Sequence, residues 1–572
     1  MTNFVKTYSS FAHGAVSPEF YTNDNIHGLS RLENMDVTDG GGIIRRSGLA
    51  HVCNIYDAAR LVPFCVGVNE NYILAIMPEH IAIYTPDGTR VCDILSPWGT
   101  DDIPCIQYAQ RFDTMIFVHP DYRPRVLRGN GGTFTLTGFE FAHSDNNQDM
   151  FMPFMRFDDT SDVTITISTH EYGNNFATFT ANRACWTPDI VGSTFIVMNQ
   201  QWTIREYINQ SQLVAFVNGA YSIPAGPVAD WRESVFSNAR GWPTSITFHQ
   251  DRLIFGGSRS HKCGVWMSQV GRHNNFDVGT GLDDEAIFVT LLSQSPQHIC
   301  TVVASDNLQI LTDSGEWAIT SKPLTPSSID IKQHTSVGSL TDKYLAPQCV
   351  SGATVFISRT GCDIRQLVLD DLAQNYRATD LCSMAKHLMH DPIDITYNDT
   401  LRRMYVVMAA GDMAVMNYNA QMGIAAWSHY TTHGDFQSVC TIGHNTFVCV
   451  CRDGVYTIER FDETAMNDMN AYSFSYCASA MPLRGGGHNA RHVRIRRLSV
   501  RVRDTKSLIL NGMRVTLPNS IYSDNATGFS GDASIGMLGT RYDAFTPIWE
   551  ISGTDAMPIN VLSVTAYGHY II

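Results

Sequence analysis

The 572-residue sequence predicts an all-β fold: a β-propeller core, an inserted β-domain and a β-rich C-terminal unit. Three observations carry this expectation. An apolar, β-branched or aromatic run, a turn built on Asp-Gly or Ser-Gly, and a second apolar run recur as one construction along the chain. The later copies begin about 45 to 55 residues apart, the spacing of a unit that buries its apolar face only against copies of itself. Between about 141 and 232 that spacing breaks, while the β pattern continues. A sandwich with regular turns is the alternative; the stacking period favours the propeller.

Residues 1–50 read as a loop-rich arm, with Ser17-Pro18, Asn23-Asp24-Asn25 and Gly40-Gly41-Gly42. Three consecutive glycines suit a phosphate-cradling nest, but the Lys-Ser/Thr of a P-loop does not follow, so a strand-entry turn is expected. Residues 51–140 open the hairpin series with Tyr72 to Ile76, Ile81 to Tyr84 and the turn Pro86-Asp87-Gly88. Residues 141–232 form the insert, acidic at Asp158-Asp159 and Asp162, then alternating at Val163, Ile165 and Ile167.

The series resumes over residues 233–475. Leu253 to Phe255 precede Gly256-Gly257, Leu308 to Leu311 precede Asp313-Ser314-Gly315, and Thr354 to Ile357 precede Thr360-Gly361. Met404 to Met408 before Gly411-Asp412 and Phe447 to Val450 before Asp453-Gly454 complete it. Residues 476–572 are a last β unit introduced by Gly485-Gly486-Gly487. Only Thr379-Asp380 leading into Leu381 to Leu388 carries a helix N-cap signature.

Composition sets the other bounds. At 44% hydrophobic and 17% charged residues the chain is globular. Its length exceeds one core, so several domains are expected. No run of apolar residues reaches the length of a membrane span, and Met1 to Lys6 lack the apolar core of a signal peptide, so synthesis and assembly in a cytoplasm are expected. Fourteen cysteines without a Cys-x-x-Cys pair read as reduced, apolar thiols, with no disulfide, zinc or other cofactor expected.

The formal charge of −15, from 55 acidic against 40 basic residues, argues against a protein that grips nucleic acid over its whole surface. It suits a wall along which DNA slides without sticking. The one basic concentration is the run Arg491, Arg494, Arg496, Arg497, Arg501 and Arg503. By the period of two, Arg494 and Arg496 share one face and Arg497, Arg501 and Arg503 the other, so at least one set meets solvent or an interface. Pairing with carboxylates of a neighbouring subunit is the reading that the acidic surplus favours; direct DNA contact is the alternative.

Other residues carry plainer readings. Asp380 is an N-cap, Arg252 snorkels from an apolar strand or pairs with a carboxylate, and Asp283-Asp284-Glu285 form a solvated loop because adjacent acids do not converge on a metal.

Residues 231–287 hold a recognisable series: Trp231, Arg240-Gly241-Trp242-Pro243, Ile246 to Gly257 with Arg252 inside it, Val265-Trp266-Met267-Ser268, Asn275-Phe276 and Asp283-Asp284-Glu285. Upstream stand Ser17-Pro18-Glu19-Phe20 and Gly41 to Gly48 with Arg45-Arg46. Downstream stand Leu311 to Trp317 with Gly315, Ile364 to Leu367, Tyr376 to Leu381 with Asp380, Ala426-Trp427 and Arg494 to Arg497. The order resembles that of the nozzle proteins of short-tailed bacteriophages, also called tail tubular or stabilisation proteins, over nearly the whole chain. Two positions depart: Thr22 stands where the family carries an arginine, and Ser47 where it carries a proline.

The resemblance implies a structural protein of the virion tail, a homohexameric ring below portal and adaptor that extends the DNA channel, retains the genome and conducts it during ejection. It implies platform and tip domains beside the propeller; the N- and C-terminal segments together are the candidate platform and the insert is platform or tip. Arg45, Arg46, Arg494, Arg496, Arg497, Arg501 and Arg503 are the candidate interface residues. Tail adaptor proteins, fibres or spikes, genomic double-stranded DNA passing through the lumen and the host envelope at the tip are the implied partners.

A tail glycosidase on a propeller and a receptor-binding tail protein are the rivals. Thr312 to Trp317 resembles a sialidase turn in composition but has the wrong spacing and no repeat. There is no Gly-x-Ser-x-Gly elbow, and His170-Glu171 lacks the second histidine of a zinc protease, so no catalysis is expected.

Overall fold

The computed structural model of the chain describes residues 2–20, 27–145, 149–170, 175–219, 221–293, 295–370, 375–469, 472–483, 492–517, 528–543 and 546–571. Thr22, Asp24, Glu171, Gly485 to Gly487 and Arg491 lie outside them. Among the described residues every helix is a single 3-10 turn and all other regular structure is strand.

Seven antiparallel blades of four strands each form a propeller among the described residues: six are separate sheets, and the four strands of blade 6 are one end of a ten-stranded sheet. Blades 1 to 6 span residues 60–95, 107–138, 245–290, 299–335, 348–380 and 392–430. Blade 7 takes three strands from residues 435–462 and its outer strand, Gly48–Ile55, from the other end of the chain, in register from Tyr456↔Ile55 to Asp462↔Gly48. The inner strand Asp435–Ile442 packs on both Pro392–Asn398 of blade 6 and Arg60–Cys65 of blade 1, which closes the ring. Gly48–Ile55 therefore belongs to the last blade, and the first blade starts only at Arg60.

Each blade is covered on both faces, so its middle strands read as continuous apolar runs: six successive residues from Tyr72 to Met77 are buried. Separate apolar clusters fill successive gaps between blades. Leu74, Ile81 and Ile83 meet Phe117 and Leu127 between blades 1 and 2, while Ile254 and Met267 meet Leu308 and Ile310 between blades 3 and 4.

The insert leaves the outer strand of blade 2 and returns at blade 3 as a seven-stranded sheet running in sequence from Phe154–Met155 to Trp231–Ser234. Residues 141–152, counted with the insert from sequence, in part belong to the propeller: Phe141 and Met152 pack against Phe236, Phe255 and Phe276. The chain ends make the third unit. Thr2–Tyr8 and Ile43–Arg45 pair with Asn560–Ile571, which pairs with His492–Thr505 and through it with Phe529–Asp543. A second sheet grows directly from the outer strand of blade 6, Ile424–Tyr430, through Gly14–Ala15 and Gly28–Glu33 to Tyr476–Ala480 and Glu550–Gly553. Where the arm crosses blade 6, Gly14 has φ +61° and a Cβ there would lie 2.4 Å from the Trp427 carbonyl oxygen, so no side chain fits.

Insert and terminal unit thus sit on opposite flanks of the ring, one at blades 2 and 3 and the other at blades 6 and 7. The expected helix after Thr379 is absent. Asn375–Asp380 is the outer strand of blade 5, paired as far as Arg365↔Asp380, and only Lys386–Leu388 forms a 3-10 turn. Tertiary pairing overrides the local cap signal.

Candidate interaction face

The strand His492–Thr505 lies inside the terminal sheet, between Asn560–Ile571 and Phe529–Asp543. Val493, Ile495, Leu498, Val500 and Val502 point into the core. Between Ile495 and Leu498 stand two residues where strict alternation allows one, and the register slips between Ile495 and Arg497 against both neighbours. This is a β-bulge. Its consequence is that Arg494, Arg496, Arg497, Arg501 and Arg503 are all exposed on the same face. The expected division of these arginines between two faces is corrected, because the bulge shifts the phase of the pleat at Arg496.

The face is only partly self-neutralised. Arg501 grips Asp532 through two hydrogen bonds of 2.8 and 2.9 Å, both side chains being more than half exposed. The Arg497 guanidinium lies 4.1 Å from the centre of the Tyr567 ring, and Arg503 is 3.4 Å from Asp504. Arg541 pairs in register with Arg494, adding a sixth exposed arginine. Arg496 makes no salt bridge among the described residues. His569, in register with Arg494, is 2% exposed and neither ring nitrogen has a hydrogen-bond partner. Burial, then the charges of Arg496 and Arg494, hold its pKa below the usual imidazole value.

Arg45 and Arg46, expected at an interface, are buried inside the chain. Arg46 forks onto Asp468 at 3.0 and 2.9 Å, donates to Asn34 Oδ1 at 2.7 Å and to the Thr431 carbonyl at 3.0 Å, and lies 3.6 Å from the Phe474 ring centre. Arg45 donates to the Met466 carbonyl and stacks 4.0 Å from the same ring; burial, then the charge of Arg46, pushes it down to about 10. The signal for this was the apolar Ile43-Ile44 just before the pair and the tight Gly48 just after it.

The remaining motif residues are struts of the propeller. Arg252 neither snorkels nor pairs with a carboxylate; it is fully buried and donates to the backbone carbonyls of Ser268 (2.7 Å), Glu285 (2.6 Å) and Asp283 (2.7 Å). It thereby ties strand Arg252–Gly256 to the Asp283–Glu285 loop. The carboxylates of Asp283 and Asp284 face solvent, while Glu285 accepts from the backbone N–H groups of Thr280, Gly281 and Leu282. Gly241 has φ +88° and Arg259 Cβ would lie 2.6 Å from any Cβ added there. Pro243 is buried two residues on, and Phe276 stacks on Phe255 at 5.2 Å. Gly315 leaves room for the Thr335 carbonyl, 2.5 Å from where a Cβ would stand. Asp380 accepts from Cys382 N at 2.9 Å, and Trp427 donates from Nε1 to the Leu381 carbonyl at 2.9 Å.

Sequence reasoning missed a chain of charges across the seam between arm and blade 6. His429 Nε2 lies 2.7 Å from Asp412 and its Nδ1 3.9 Å from Glu33, while Arg31 forks onto Glu33. Hydrogen bonding to Asp412, then Glu33, raises His429 to about 9; burial alone would raise Glu33, but His429 and Arg31 outweigh it and bring the carboxyl down to about 2. Among the described residues no group of three His, Cys, Asp or Glu side chains converges as a metal site.

The chain is a β-propeller protein. No family model and no curated protein matches the sequence. Similar solved structures are WD40-type propellers. The Pan2 WD40 domain of Neurospora crassa is 9% identical with TM-score 0.29, covering 64% of this chain and 92% of its own. Sqt1 of Saccharomyces cerevisiae is 9% identical with TM-score 0.34 and coverages of 72% and 98%. Sqt1 of Chaetomium thermophilum is 11% identical with TM-score 0.36 and coverages of 72% and 99%. Such scores carry no argument about function, and the blade count rests on the chain's own sheet topology.

Proposed function

We propose that this chain is the structural subunit of a tail nozzle of a short-tailed bacteriophage, a ring that extends the channel below portal and adaptor and conducts the genome. The observation that carries the reading is the ordered series of motifs resembling that family, from Ser17-Pro18 to Arg494-Ile495-Arg496-Arg497. Its members are architectural in this fold: Gly241, Arg252, Phe276, Gly315 and Trp427 hold turns and blade contacts, which suits a wall protein. The propeller with one β unit on each flank supports the same reading. The surplus of fifteen negative charges gives such a wall little adhesion for DNA.

Electron microscopy of the purified full-length chain, alone and with portal and adaptor, tests the proposal. Closed six-fold rings with a central hole that dock beneath the adaptor are the expected result. A chain that stays monomeric at high concentration and fails to bind the adaptor would remove the reading, and release of reducing ends from host polysaccharide would replace it with the glycosidase.

A further inference from the structure

The two flanks of the ring carry opposite charge. Residues 141–232 hold nine acidic against four basic residues, and residues 476–572 hold ten basic against six acidic. The acidic flank is presented, not buried: Asp158, Asp189, Glu206 and Asp230 are exposed and form no salt bridge among the described residues. The basic flank is the face bearing Arg494, Arg496, Arg497, Arg501, Arg503 and Arg541. Arg501 pairs with Asp532 and Arg503 lies beside Asp504, Arg496 makes no salt bridge among the described residues, and the face holds the buried imidazole of His569, whose ring nitrogens have no hydrogen-bond partner. A buried donor without a partner asks for one.

These two surfaces do not meet within one chain, because the insert leaves the ring at blades 2 and 3 while the terminal unit is joined to blade 6 through the sheet that continues from Ile424–Tyr430 and to blade 7 through the arm strand Gly48–Ile55. A second copy brings them together. We infer that the arginine face of one chain docks the exposed carboxylates of the insert of the next, a head-to-tail contact between copies. Guanidinium forks and carboxylates are geometrically matched. A contact between two different surfaces repeats from copy to copy and closes into a ring when the rotation per step divides the circle. The inference rests on the ring reading above and adds which surfaces make the ring. Nucleic acid is the other occupant that arginines on a sheet would suit; the acidic flank on the same molecule and the overall negative charge favour the protein partner.

Charge reversal on the full-length chain tests it. Arg496→Glu with Arg497→Glu changes exposed side chains only, so the melting temperature is expected to stay within a few degrees while association, read by mass photometry and light scattering, weakens at least 100-fold. Asp158→Arg with Asp189→Arg in the insert is expected to weaken association to a similar degree. Combining both pairs in one chain restores it in part, and 0.5 M salt weakens the wild type.

Rings forming with unchanged affinity in both reversed variants would overturn the contact while leaving the ring reading intact. Unchanged assembly with loss of DNA retention by Arg496→Glu/Arg497→Glu would hand the face to nucleic acid and likewise overturn the inference. A wild type that never associates, at low salt or with adaptor present, would remove the ring and the contact together.

Discussion

The insert and the terminal unit are both β additions to the same propeller, yet they are built in opposite ways. The insert has a core of its own: Val163, Ile165, Phe179, Trp186, Phe195, Trp202, Leu213 and Trp231 all come from within it. The terminal unit has none to itself, since Val493, Ile495, Leu498, Trp549 and Ile551 belong to one continuous cluster with Val355 and Ile364 of blade 5 and Met404, Met416 and Trp427 of blade 6. Chain entry explains the difference. The insert leaves and returns through adjacent antiparallel strands, Phe154↔Ser234 and Met155↔Glu233, so the propeller is complete without it. The terminal unit is woven from both chain ends, and the same arm supplies the outer strand of blade 7. The seam of the ring and the seam of the terminal unit are one structure.

The largest effect is therefore expected from deletion. Replacing residues 158–229 by a short Gly-Ser linker should leave a soluble chain with a cooperative thermal transition, whereas removing residues 476–572 should expose the blade 5 and 6 cluster and yield aggregate. Circular dichroism and light scattering on the two chains read this directly. Aggregation of the first chain, or folding of the second, breaks the contrast.

Point substitutions sharpen it. Asp468→Ala strands the fully buried Arg46 guanidinium and should cost about 3–5 kcal/mol, lowering the melting temperature of the whole molecule. Trp202→Ala in the insert and Trp549→Ala in the terminal unit each create a cavity costing about 3–5 kcal/mol. The first should melt the insert alone, as a separate early transition in calorimetry, and the second should lower the single main transition. A main transition unmoved by Trp549→Ala would separate the terminal unit from the propeller after all.

These contrasts also mark what the sequence discloses. Blades 1 and 3 to 7 are legible because each carries an apolar run and a turn residue within one hairpin, information local to a few tens of residues. The break at the insert is legible because the period fails there. Blade 7's closure is not, since Gly48–Ile55 finds its partner some 400 residues downstream. Nor is the single arginine face, because counting by twos assumes an unbroken pleat and one bulge residue at Arg496 reverses the parity from Arg497 to Arg503. Arg45 and Arg46 look like surface charge for a related reason: Asp468, which makes burial of Arg46 tolerable, is 422 residues away.

The seam carries a pH dependence of its own. His429 is raised from 6.5 to about 9, so its contribution is complete below about pH 6.5 and is lost as the pH climbs through 9. Glu33 is lowered from 4.5 to about 2, so its contribution is present above about pH 4.5 and is lost as the pH falls toward 2. The link between arm and blade 6 is thus firmest between about pH 4.5 and 6.5. Denaturant titrations from pH 5 to 9.5 should show wild-type stability falling by on the order of 2 kcal/mol relative to His429→Gln, after allowance for partial solvent screening. Parallel curves for the two chains would detach His429 from the stability of the seam.

The smallest effect belongs to the exposed charges of the insert. Arg183 forks onto Asp162 at 2.6 and 3.1 Å, a geometry as good as that of Arg46 on Asp468, but the two side chains are 42% and 67% exposed. Water and salt screen the pair in both the folded and unfolded chain, so a double-mutant cycle with Arg183→Ala and Asp162→Ala should give a coupling of only about 0–1 kcal/mol, vanishing in 0.5 M salt. The same fork buried at the seam couples several times more strongly because neither partner is left a hydrated alternative. A coupling at Arg183 and Asp162 as large as that at Arg46 and Asp468 would mean that burial is not what separates the two regions.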